Sequence, residues 1–355
     1  MASFRARLLR HLYLRRPWFA GPALALRDAA LLASDWVQAG GSASRAGLLG
    51  TRACARCGIA ARVPGVWLDR DELCEACRVM SALPAAPAPV PAPISLARIA
   101  EPEVRTALTP RGDGSIDALV ALSGGKDSLV TLTSAVALGL RVSALTLDNG
   151  FLLDVAIDAC RSWCERLGVP LTVARVEMHQ TVASALARKR LVPWPCVACF
   201  DHLSRALLDE AERLGTRTIL TGLRYRWPGG RSMAPASEAF AAYAPPDSAA
   251  DLAVVNLPAA LDLDESEQLE LLAAHGWVDP AIAGHSTNCL LPAHFEHLYR
   301  ERTGRPHESV RFVALEARLG VIPRDVAVER MRGAEPAPAH RAELARRLAA
   351  ARSTP

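Results

Sequence analysis

A short loop of two glycines and four polar residues limits most strongly how this chain can fold. Ser123–Ser128 (SGGKDS) follows the apolar run at 117–122 and opens the helical pattern at 128–138. Adjacent glycines permit a tight turn that brings backbone N–H groups together around an anion. The N-terminus of the following helix adds unpaired N–H groups and the positive end of its dipole. The sequence therefore predicts an anion site between a strand and a helix.

The polar residues of the loop indicate that this anion is a phosphate. Ser123 and Ser128 can donate hydroxyl hydrogens, and Lys126 can neutralise phosphate charge. Asp127 adds a carboxylate to the same loop, so a phosphate there needs a cation such as Mg²⁺ between the two groups. An ordinary Gly-rich turn does not account for these residue types together. The spacing also differs from both G-x-x-x-x-G-K-[ST] and G-x-G-x-x-G.

Strand and helix patterns alternate from about residue 115 onward. The predicted strands are 117–122, 142–147, 171–176 and 217–220, and the predicted helices are 128–138, 155–167 and 203–214. This alternation predicts an α/β fold, a doubly wound parallel sheet with helices on both faces. Ligands bind at the carboxyl ends of such strands. The SGGKDS loop, Asp148 and Gly222 all fall at those ends.

Four cysteines near the N-terminus have the spacing of a metal site. Cys54 and Cys57 form one C-x-x-C pair, and Cys74 and Cys77 form a second after sixteen intervening residues. The spacing is typical of a zinc ribbon or knuckle, in which four thiolates hold one Zn²⁺ tetrahedrally. A closed site of this kind is structural, so no catalysis is assigned to it.

Composition divides the 355 residues into five predicted segments. They are a basic helical arm at 1–50, the four-cysteine zinc module at 51–80, a Pro/Ala-rich linker at 81–114, the α/β domain at 115–332 and a peripheral tail at 333–355. Arg27, Asp28 and Asp35 interrupt the apolar stretch of the arm, which argues against a transmembrane helix. The odd total of nine cysteines fits a reducing compartment, so we expect a cytoplasmic protein without membrane contact. A net charge of +4 does not by itself indicate nucleic acid.

The SGGKDS loop after a strand resembles the PP-loop of the ATP pyrophosphatase family, within the adenine nucleotide alpha hydrolase superfamily. The resemblance extends over about residues 115–331 and includes Asp148-Asn149-Gly150-Phe151 and Thr221-Gly222. It implies ATP and Mg²⁺ as ligands. The implied ATP-binding residues are Ser123, Gly124, Gly125, Lys126, Asp127, Ser128, Asp148, Gly222 and Arg224, of which Lys126 and Asp127 are also catalytic.

Family chemistry divides ATP into AMP and pyrophosphate. The resemblance implies that AMP is placed on a carbonyl or carboxyl oxygen of the substrate and is then displaced by a nitrogen or sulfur nucleophile. Many tRNA-modifying relatives continue Thr-Gly-His-Asn where this chain has Leu223-Arg224 after Gly222. This departure weakens a direct transfer of the tRNA-thiolase function. The guanidinium fork of Arg224 suits a phosphate or a carboxylate.

Three further cysteines suggest sulfur chemistry. Cys196 and Cys199 are three residues apart, close to a predicted helix N-terminus that favours thiolates, and Cys289 lies ninety residues further on. The arrangement resembles PP-loop sulfurtransferases, which implies ligands of a [4Fe–4S] cluster with one open iron, or a persulfide carrier with a resolving thiol. A second zinc site or a structural pair are the alternatives. Cys160 and Cys164, four apart on a helix, are expected in the core.

Three functions are compatible with these patterns. The first is a PP-loop sulfurtransferase supplied by a sulfur donor protein. The second is an amidotransferase using ammonia from a partner glutaminase, since the four-cysteine module resembles that of N-acetyl sugar amidotransferases. The third is a non-catalytic ATP-binding module, against which the intact Lys126 and Asp127 argue. The sequence does not decide between a small-molecule and a tRNA substrate, and a homodimer stays open.

Several other polar residues are candidate contributors to the site. Lys189, Arg190 and Arg226 are cations near predicted strand ends, and His285 is a potential proton shuttle. Glu265-Ser266-Glu267 is the acidic first turn of a predicted helix and receives no chemical role.

Overall fold

The computed structural model describes most of the chain after the basic arm. The described residues are 52–61, 63, 66–81, 93–187, 195–227, 230–240, 252–277, 288–304, 306–307, 310–318, 320, 322–332 and 335–352. The predicted arm at 1–50, residues 82–92 of the predicted linker, Lys189, Arg190 and His285 lie outside them.

Among the described residues, six strands form one sheet. The strands are Ala118–Ala121 (β1), Val142–Asp148 (β2), Leu171–Arg175 (β3), Thr218–Thr221 (β4), Met233–Pro235 (β5) and Ala253–Asn256 (β6). Their order is β3-β2-β1-β4-β6-β5, and only the edge strand β5 is antiparallel to its neighbour. The predicted parallel α/β class is confirmed, whereas β5 and β6 were not predicted.

The helices of the described residues are numbered here in chain order. They are Glu75–Ser81 (α1), Pro102–Ala107 (α2), Lys126–Ala137 (α3), Asp154–Leu167 (α4), His179–Ala187 (α5), Pro195–Leu214 (α6), Ala236–Ala239 (α7), Leu257–Ala260 (α8), Glu265–Ala273 (α9), Leu290–Thr303 (α10), Val310–Arg318 (α11), Arg324–Arg332 (α12) and Pro338–Arg352 (α13). The helix predicted at 203–214 begins instead at Pro195. Proline is tolerated in a first helical turn because the N–H it lacks has no partner there. Cys196 and Cys199 are therefore inside α6.

The direction in which strands are added reverses beside β1. The chain places β2 and β3 on one side of β1, then crosses to pair β4 with its other edge through Leu119–Ile219 and Val120–Leu220. Such a reversal opens a crevice at the carboxyl ends of the two central strands. The SGGKDS loop follows β1 and Thr221-Gly222 ends β4, so both border that crevice.

Alternate residues of β1 enter two apolar layers. Val120 belongs to a buried cluster with Leu129 and Leu132 of α3, whereas Leu119 belongs to another with Leu207 of α6. Strands covered on both faces are apolar throughout, which explains the continuous apolar runs of β1 and β2. No helix of the described residues is long and apolar enough to cross a bilayer.

Contacts within the chain divide it into two units. The described parts of 52–81 group with 295–335, where Val310 and Ala314 share a buried cluster with the four N-terminal cysteines. The sheet and its helices group with 336–352, where Arg347 donates to the carbonyl oxygens of Gly150 and Leu152. The five-segment division stays a prediction. Composition does not indicate which distant segments of the chain group together.

A buried hydrogen bond between α3 and α4 gives a stability prediction. The indole N–H of Trp163 donates to the Thr133 hydroxyl at 2.9 Å, and both residues are buried. Thr133→Val keeps the shape of the side chain but leaves the indole N–H without its acceptor, so the free energy of unfolding should fall by about 1–3 kcal/mol.

Urea denaturation measures this change, and Thr106→Val is the matched control. The Thr106 hydroxyl also donates a hydrogen bond, to the carbonyl oxygen of Pro102 at 3.0 Å, but on the exposed surface of α2. Its loss should cost less than about 0.5 kcal/mol. Equal losses in the two variants would contradict the assigned role of the Trp163–Thr133 bond.

Candidate functional site

The phosphate-type loop is closed by its own hydroxyl groups. Ser128 Oγ accepts from Ser123 N and Ser123 Oγ, both at 3.1 Å, and donates to the carbonyl oxygen of Gly125 at 2.9 Å. Gly124 has a left-handed φ of +74°, and a Cβ there would strike the carbonyl oxygen of Ala156 on α4. The second residue of the loop must therefore be glycine.

Lys126 lies among oxygen atoms from two helices. Its Nζ is 2.8 Å from Asp127 Oδ1, 2.9 Å from Gln268 Oε1 and 3.6 Å from Glu265 Oε1. Glu265 and Gln268 were not among the predicted site residues, although the sequence did indicate a helix start at 265. Their position depends on the packing of α9 against α3, which no local pattern reveals.

Arg224 lies beside the same group, as the sequence suggested. Its side chain is 7% exposed, with Nε 3.6 Å from Asp127 Oδ1 and Nη1 3.8 Å from Glu265 Oε1. The preceding Gly222 touches α3 so closely that a Cβ would lie 2.7 Å from the carbonyl carbon of Asp127 and 2.8 Å from Ser128 N. The structure thus brings Gly222, Arg224 and the SGGKDS loop together.

Buried polar contacts fix the turn after β4. Asn256, at the end of β6, accepts from Thr221 Oγ1 at 2.6 Å and donates to the Tyr225 carbonyl oxygen at 2.8 Å. Arg226 pairs with Glu101 at 2.6 Å and donates to the carbonyl oxygen of Ala259. These contacts give Arg226 a structural role and leave Arg224 as the cation of this turn that faces the loop.

The carboxyl end of β2 carries Asp148 and a buried asparagine. Asp148 Oδ1 accepts from Gly150 N at 3.0 Å, and its other oxygen is 3.8 Å from Arg175 Nε. Asn149 Nδ2 lies 3.3 Å from Cys199 Sγ and 3.8 Å from Cys289 Sγ, while its Oδ1 accepts from Phe151 N at 2.9 Å. One amide group therefore contacts two of the three predicted thiols.

The Cys289 segment is joined to the phosphate-type loop. Asn288 Nδ2 donates to the Ser123 carbonyl oxygen at 3.0 Å, and Leu153 N donates to the Asn288 carbonyl oxygen at 3.0 Å. Cys289 itself pairs with Leu152 in an isolated antiparallel bridge. Asn149 and Asn288 were not among the predicted site residues, although Asn149 lies within the Asp148–Phe151 motif and Asn288 directly precedes Cys289.

The surroundings of the two thiols beside Asn149 disfavour the thiolate form. Burial raises the pKa of Cys199, although the Asn149 N–H acts in the opposite direction. Burial raises the pKa of Cys289 to about 11. Cys196, three residues before Cys199 on α6, is partly exposed. Among the described residues, these three thiols do not belong to any group of possible metal ligands whose atoms all lie within 4.8 Å of one another.

The four N-terminal cysteines do form such a group. The Sγ atoms of Cys54, Cys57, Cys74 and Cys77 all lie within 4.8 Å of one another, and all four residues are buried. Cys57 and Cys74 Sγ are 3.8 Å apart. An ideal tetrahedron with metal–sulfur bonds of about 2.3 Å separates its sulfurs by about 3.8 Å. These residues form a metal-binding site with four cysteine ligands, called here the four-cysteine site.

Local structure preorganises the four-cysteine site. Gly58, directly after the first pair, has a left-handed φ of +73°, and its N–H donates to the Cys54 carbonyl oxygen. A hydrogen bond with Cys57 lowers the pKa of Cys74, and the Arg318 guanidinium, which donates to Cys74 Sγ at 3.4 Å, acts in the same direction. Burial raises the pKa of Cys77. The arrangement suits a cation that binds thiolates.

In α4 the two remaining cysteines are buried, as the sequence predicted for a helix core. Burial raises the pKa of Cys160 to about 11 and that of Cys164 to about 12. They make no contact with the thiols near Asn149 among the hydrogen bonds of the described residues.

Comparison with known proteins finds a matching family model and several relatives for parts of this chain. A family model described as "Queuosine biosynthesis protein QueC" matches residues 117–194, which contain β1 to β3 and the SGGKDS loop. An uncharacterized protein of Methanocaldococcus jannaschii is 24% identical over 215 residues, covering 60% of this chain and 72% of that protein.

Two named relatives share shorter regions. The tRNA-specific 2-thiouridylase MnmA of Syntrophotalea carbinolica is 38% identical over 118 residues, which is 29% of this chain and 33% of that protein. The 7-cyano-7-deazaguanine synthase of Leptospira interrogans is 32% identical over 74 residues, 21% of this chain and 31% of that protein. The chain thus spans about a third of the length of each named relative.

The contact between Gly222 and α3 gives a prediction for nucleotide binding. Gly222→Ala places a methyl group against the Asp127 backbone, so the loop must shift. We expect the affinity for Mg·ATP to fall about tenfold or more in isothermal titration, because small displacements in such sites have large effects. Gly139→Ala is the control: φ is +78° but no atom lies within 4 Å, so stability should fall while ATP affinity is retained. Equal affinities in both variants would refute the close-contact argument.

The geometry of the four-cysteine site predicts the effect of losing one ligand. Cys77→Ala removes one corner of the tetrahedron, so the purified protein should lose its bound metal, as measured by plasma mass spectrometry. Cys164→Ala removes an equally buried thiol from α4 and should retain the metal. Metal retained by Cys77→Ala would contradict a site with four cysteine ligands.

Proposed function

We propose that this chain, a member of the PP-loop ATP pyrophosphatase superfamily, adenylates a carbonyl or carboxyl oxygen of its substrate and then replaces that oxygen with sulfur. The two named relatives, a 2-thiouridylase and a 7-cyano-7-deazaguanine synthase, are enzymes of this ATP-using superfamily. One contact carries the sulfur part of the proposal: Asn288 joins the Cys289 segment to the carbonyl oxygen of Ser123 in the phosphate-binding loop. Thiols connected to the loop by this hydrogen bond suit a reaction that follows activation of the substrate by ATP.

In the first step the chain binds and orients ATP. The backbone N–H groups of the SGGKDS loop and the N-terminus of α3 face the phosphates, and Lys126 and Arg224 supply positive charge. The Asp127 carboxylate holds Mg²⁺, which offsets the charge between carboxylate and phosphate. The substrate oxygen attacks the α-phosphorus, the α–β phosphoanhydride bond breaks, and pyrophosphate leaves.

In the second step sulfur displaces AMP. A persulfide on one cysteine of the Cys199–Cys289 pair attacks the activated carbon, and the carbon–oxygen bond to AMP breaks. The other thiol then attacks the inner sulfur, which leaves a protein disulfide and a thiolated product. An external thiol reductant restores the pair. Asn149, in contact with both sulfurs, holds them beside each other.

A [4Fe–4S] cluster is the other form that this sulfur site can take. Cys196, Cys199 and Cys289 would hold such a cluster through three thiolates, and the cluster would supply an open iron for sulfur. Ligands of such a cluster bind separate irons, so they need not crowd around a single point. For the four-cysteine site, zinc is the proposed metal, because the 3.8 Å sulfur separation matches its tetrahedral bond lengths.

Amidotransfer is the second candidate function. It is favoured by the four-cysteine module, which resembles that of N-acetyl sugar amidotransferases, and by a relative whose name specifies a nitrogen-containing cyano product. MnmA, in contrast, is named for a thiolated uridine. The nucleophile therefore distinguishes the candidates: a sulfur donor protein is the expected partner in the first, and a glutaminase in the second. A cytoplasmic location stays a prediction.

The nucleotide products test the activation step. Incubated with Mg²⁺, ATP and either total tRNA or a low-molecular-weight cell extract, the protein should release AMP and pyrophosphate, separated by ion-exchange chromatography. Lys126→Ala should lose about a hundredfold or more of this activity, because a charge facing the transferred phosphates is removed. Release of ADP in place of AMP would refute the superfamily chemistry for this chain.

Labelled sulfur tests the second step independently. Protein treated with ³⁵S-cysteine and a cysteine desulfurase should retain a label that dithiothreitol removes, and the double variant Cys199→Ala/Cys289→Ala should lose it. A parallel sample, reconstituted anaerobically with iron and sulfide, reports on the cluster form by its absorption spectrum. Cys160→Ala, which removes a buried thiol from α4, is the control that keeps the label. A protein that takes up no label, forms no cluster and transfers nitrogen from added ammonia to its substrate would favour amidotransfer.

A further inference from the structure

A buried glutamine is committed to the lysine of the phosphate-binding loop. Gln268 has 0% exposed surface, and its Oε1 accepts from Lys126 Nζ at 2.9 Å. Its Nε2 donates to the Leu263 carbonyl oxygen at 3.0 Å. Since a carbonyl oxygen can only accept, the nitrogen end of the amide must face Leu263. The oxygen end is thereby directed at Lys126.

The helix that carries Gln268 is firmly anchored. Asp264 and Glu267 form a reciprocal capping box at the start of α9. Both carboxylate oxygens of Glu267 accept from Arg98 at 2.7 Å, and Arg98 also donates to the Leu261 carbonyl oxygen. A side chain that departs from such a helix has a well-defined position, so Gln268 can define the position of the lysine.

The chemical type of residue 268 matters because carboxylates already lie near Lys126. Asp127 and Glu265 bring two negative charges to within 2.8 and 3.6 Å of its ammonium group. A third carboxylate would further offset the positive charge that a phosphate requires, whereas an amide oxygen accepts a hydrogen bond without adding net charge.

We propose that Gln268 is a positioning residue that directs the Lys126 ammonium group toward the polyphosphate of ATP while preserving its charge. The inference rests on the proposed ATP-binding role of the loop. It adds that Gln268 sets the affinity of this loop for phosphates. Gln268 acts through Lys126, so its substitution should change phosphate binding and lysine mobility together.

Pyrophosphate titration tests the charge argument. With Mg²⁺ present, Gln268→Glu should weaken pyrophosphate binding about tenfold, the effect of one added charge beside the ammonium group. Gln180→Glu makes the same substitution at an exposed position of α5 and should stay within about twofold of the unsubstituted protein. An unchanged affinity in Gln268→Glu would overturn the proposal.

Reductive methylation tests the positioning argument without a nucleotide. Lys126 and Lys189 are the two lysines of the chain, so mass spectrometry can follow the Lys126 peptide against one internal reference. Gln268→Met has a similar length but no oxygen acceptor, and Lys126 should be methylated about threefold to tenfold faster, the effect of one lost hydrogen bond. An unchanged ratio of the two rates would overturn the proposal, and a melting curve identifies a variant that has merely unfolded.

The outcomes separate this inference from the function on which it rests. A protein that shows both effects but releases no AMP from ATP contradicts the proposed function and supports the role of Gln268. If both Gln268 variants release AMP and pyrophosphate at the rate of the unsubstituted protein, the role of Gln268 is contradicted but the proposed function is not. If Gln268→Met does not fold, the Gln268→Glu titration decides.

Discussion

The parallel pairing of β1 with β4 is the contact on which the proposed ATP site depends. It places the ends of two strands that are about a hundred residues apart in sequence at one edge of the sheet. One end supplies a loop that turns into α3, and the other supplies Gly222, which fits against the first turn of that helix because it has no Cβ. Arg224 then lies beside Asp127 as a consequence. The strand pairing thus brings Gly222 against α3, and this close approach in turn places Arg224 beside Asp127.

The sequence could predict those parts of the site that are encoded locally. The SGGKDS loop, the central strands and the spacing of the four N-terminal cysteines are continuous patterns with a direct physical meaning, and the structure contains all three. Gln268 and Asn288 could not be predicted, because an amide side chain has no characteristic spacing. Their roles arise from packing between distant segments, as when α9 brings Gln268 to Lys126. Likewise, β6 became recognisable only from its pairing with β4.

Two groups of cysteines show how surroundings alter one side chain. In the four-cysteine site, hydrogen bonding between thiols, with Arg318 nearby, lowers the pKa of Cys74, which favours the thiolate form that a metal binds. Near Asn149, burial dominates and raises the pKa of Cys199 and Cys289. A neutral thiol is a poor nucleophile, so the proposed sulfur transfer would require these thiols to be activated by a bound sulfur, a metal or a change in exposure. A thiol that reacts only after such activation would be protected from side reactions before the substrate is adenylated.

The use of lysine at 126 follows from the same contacts. Of the 41 Lys and Arg residues, only Lys126 and Lys189 are lysines, so the loop has the cation that the chain otherwise rarely uses. An ammonium group is compact and directs three hydrogens tetrahedrally, whereas a guanidinium is a planar fork. Between Asp127 Oδ1 and Gln268 Oε1, at 2.8 and 2.9 Å, a compact donor can serve both oxygens and keep a third hydrogen for a phosphate. Arginine serves instead at 224, where its longer side chain reaches Asp127 and Glu265 from the β4 turn.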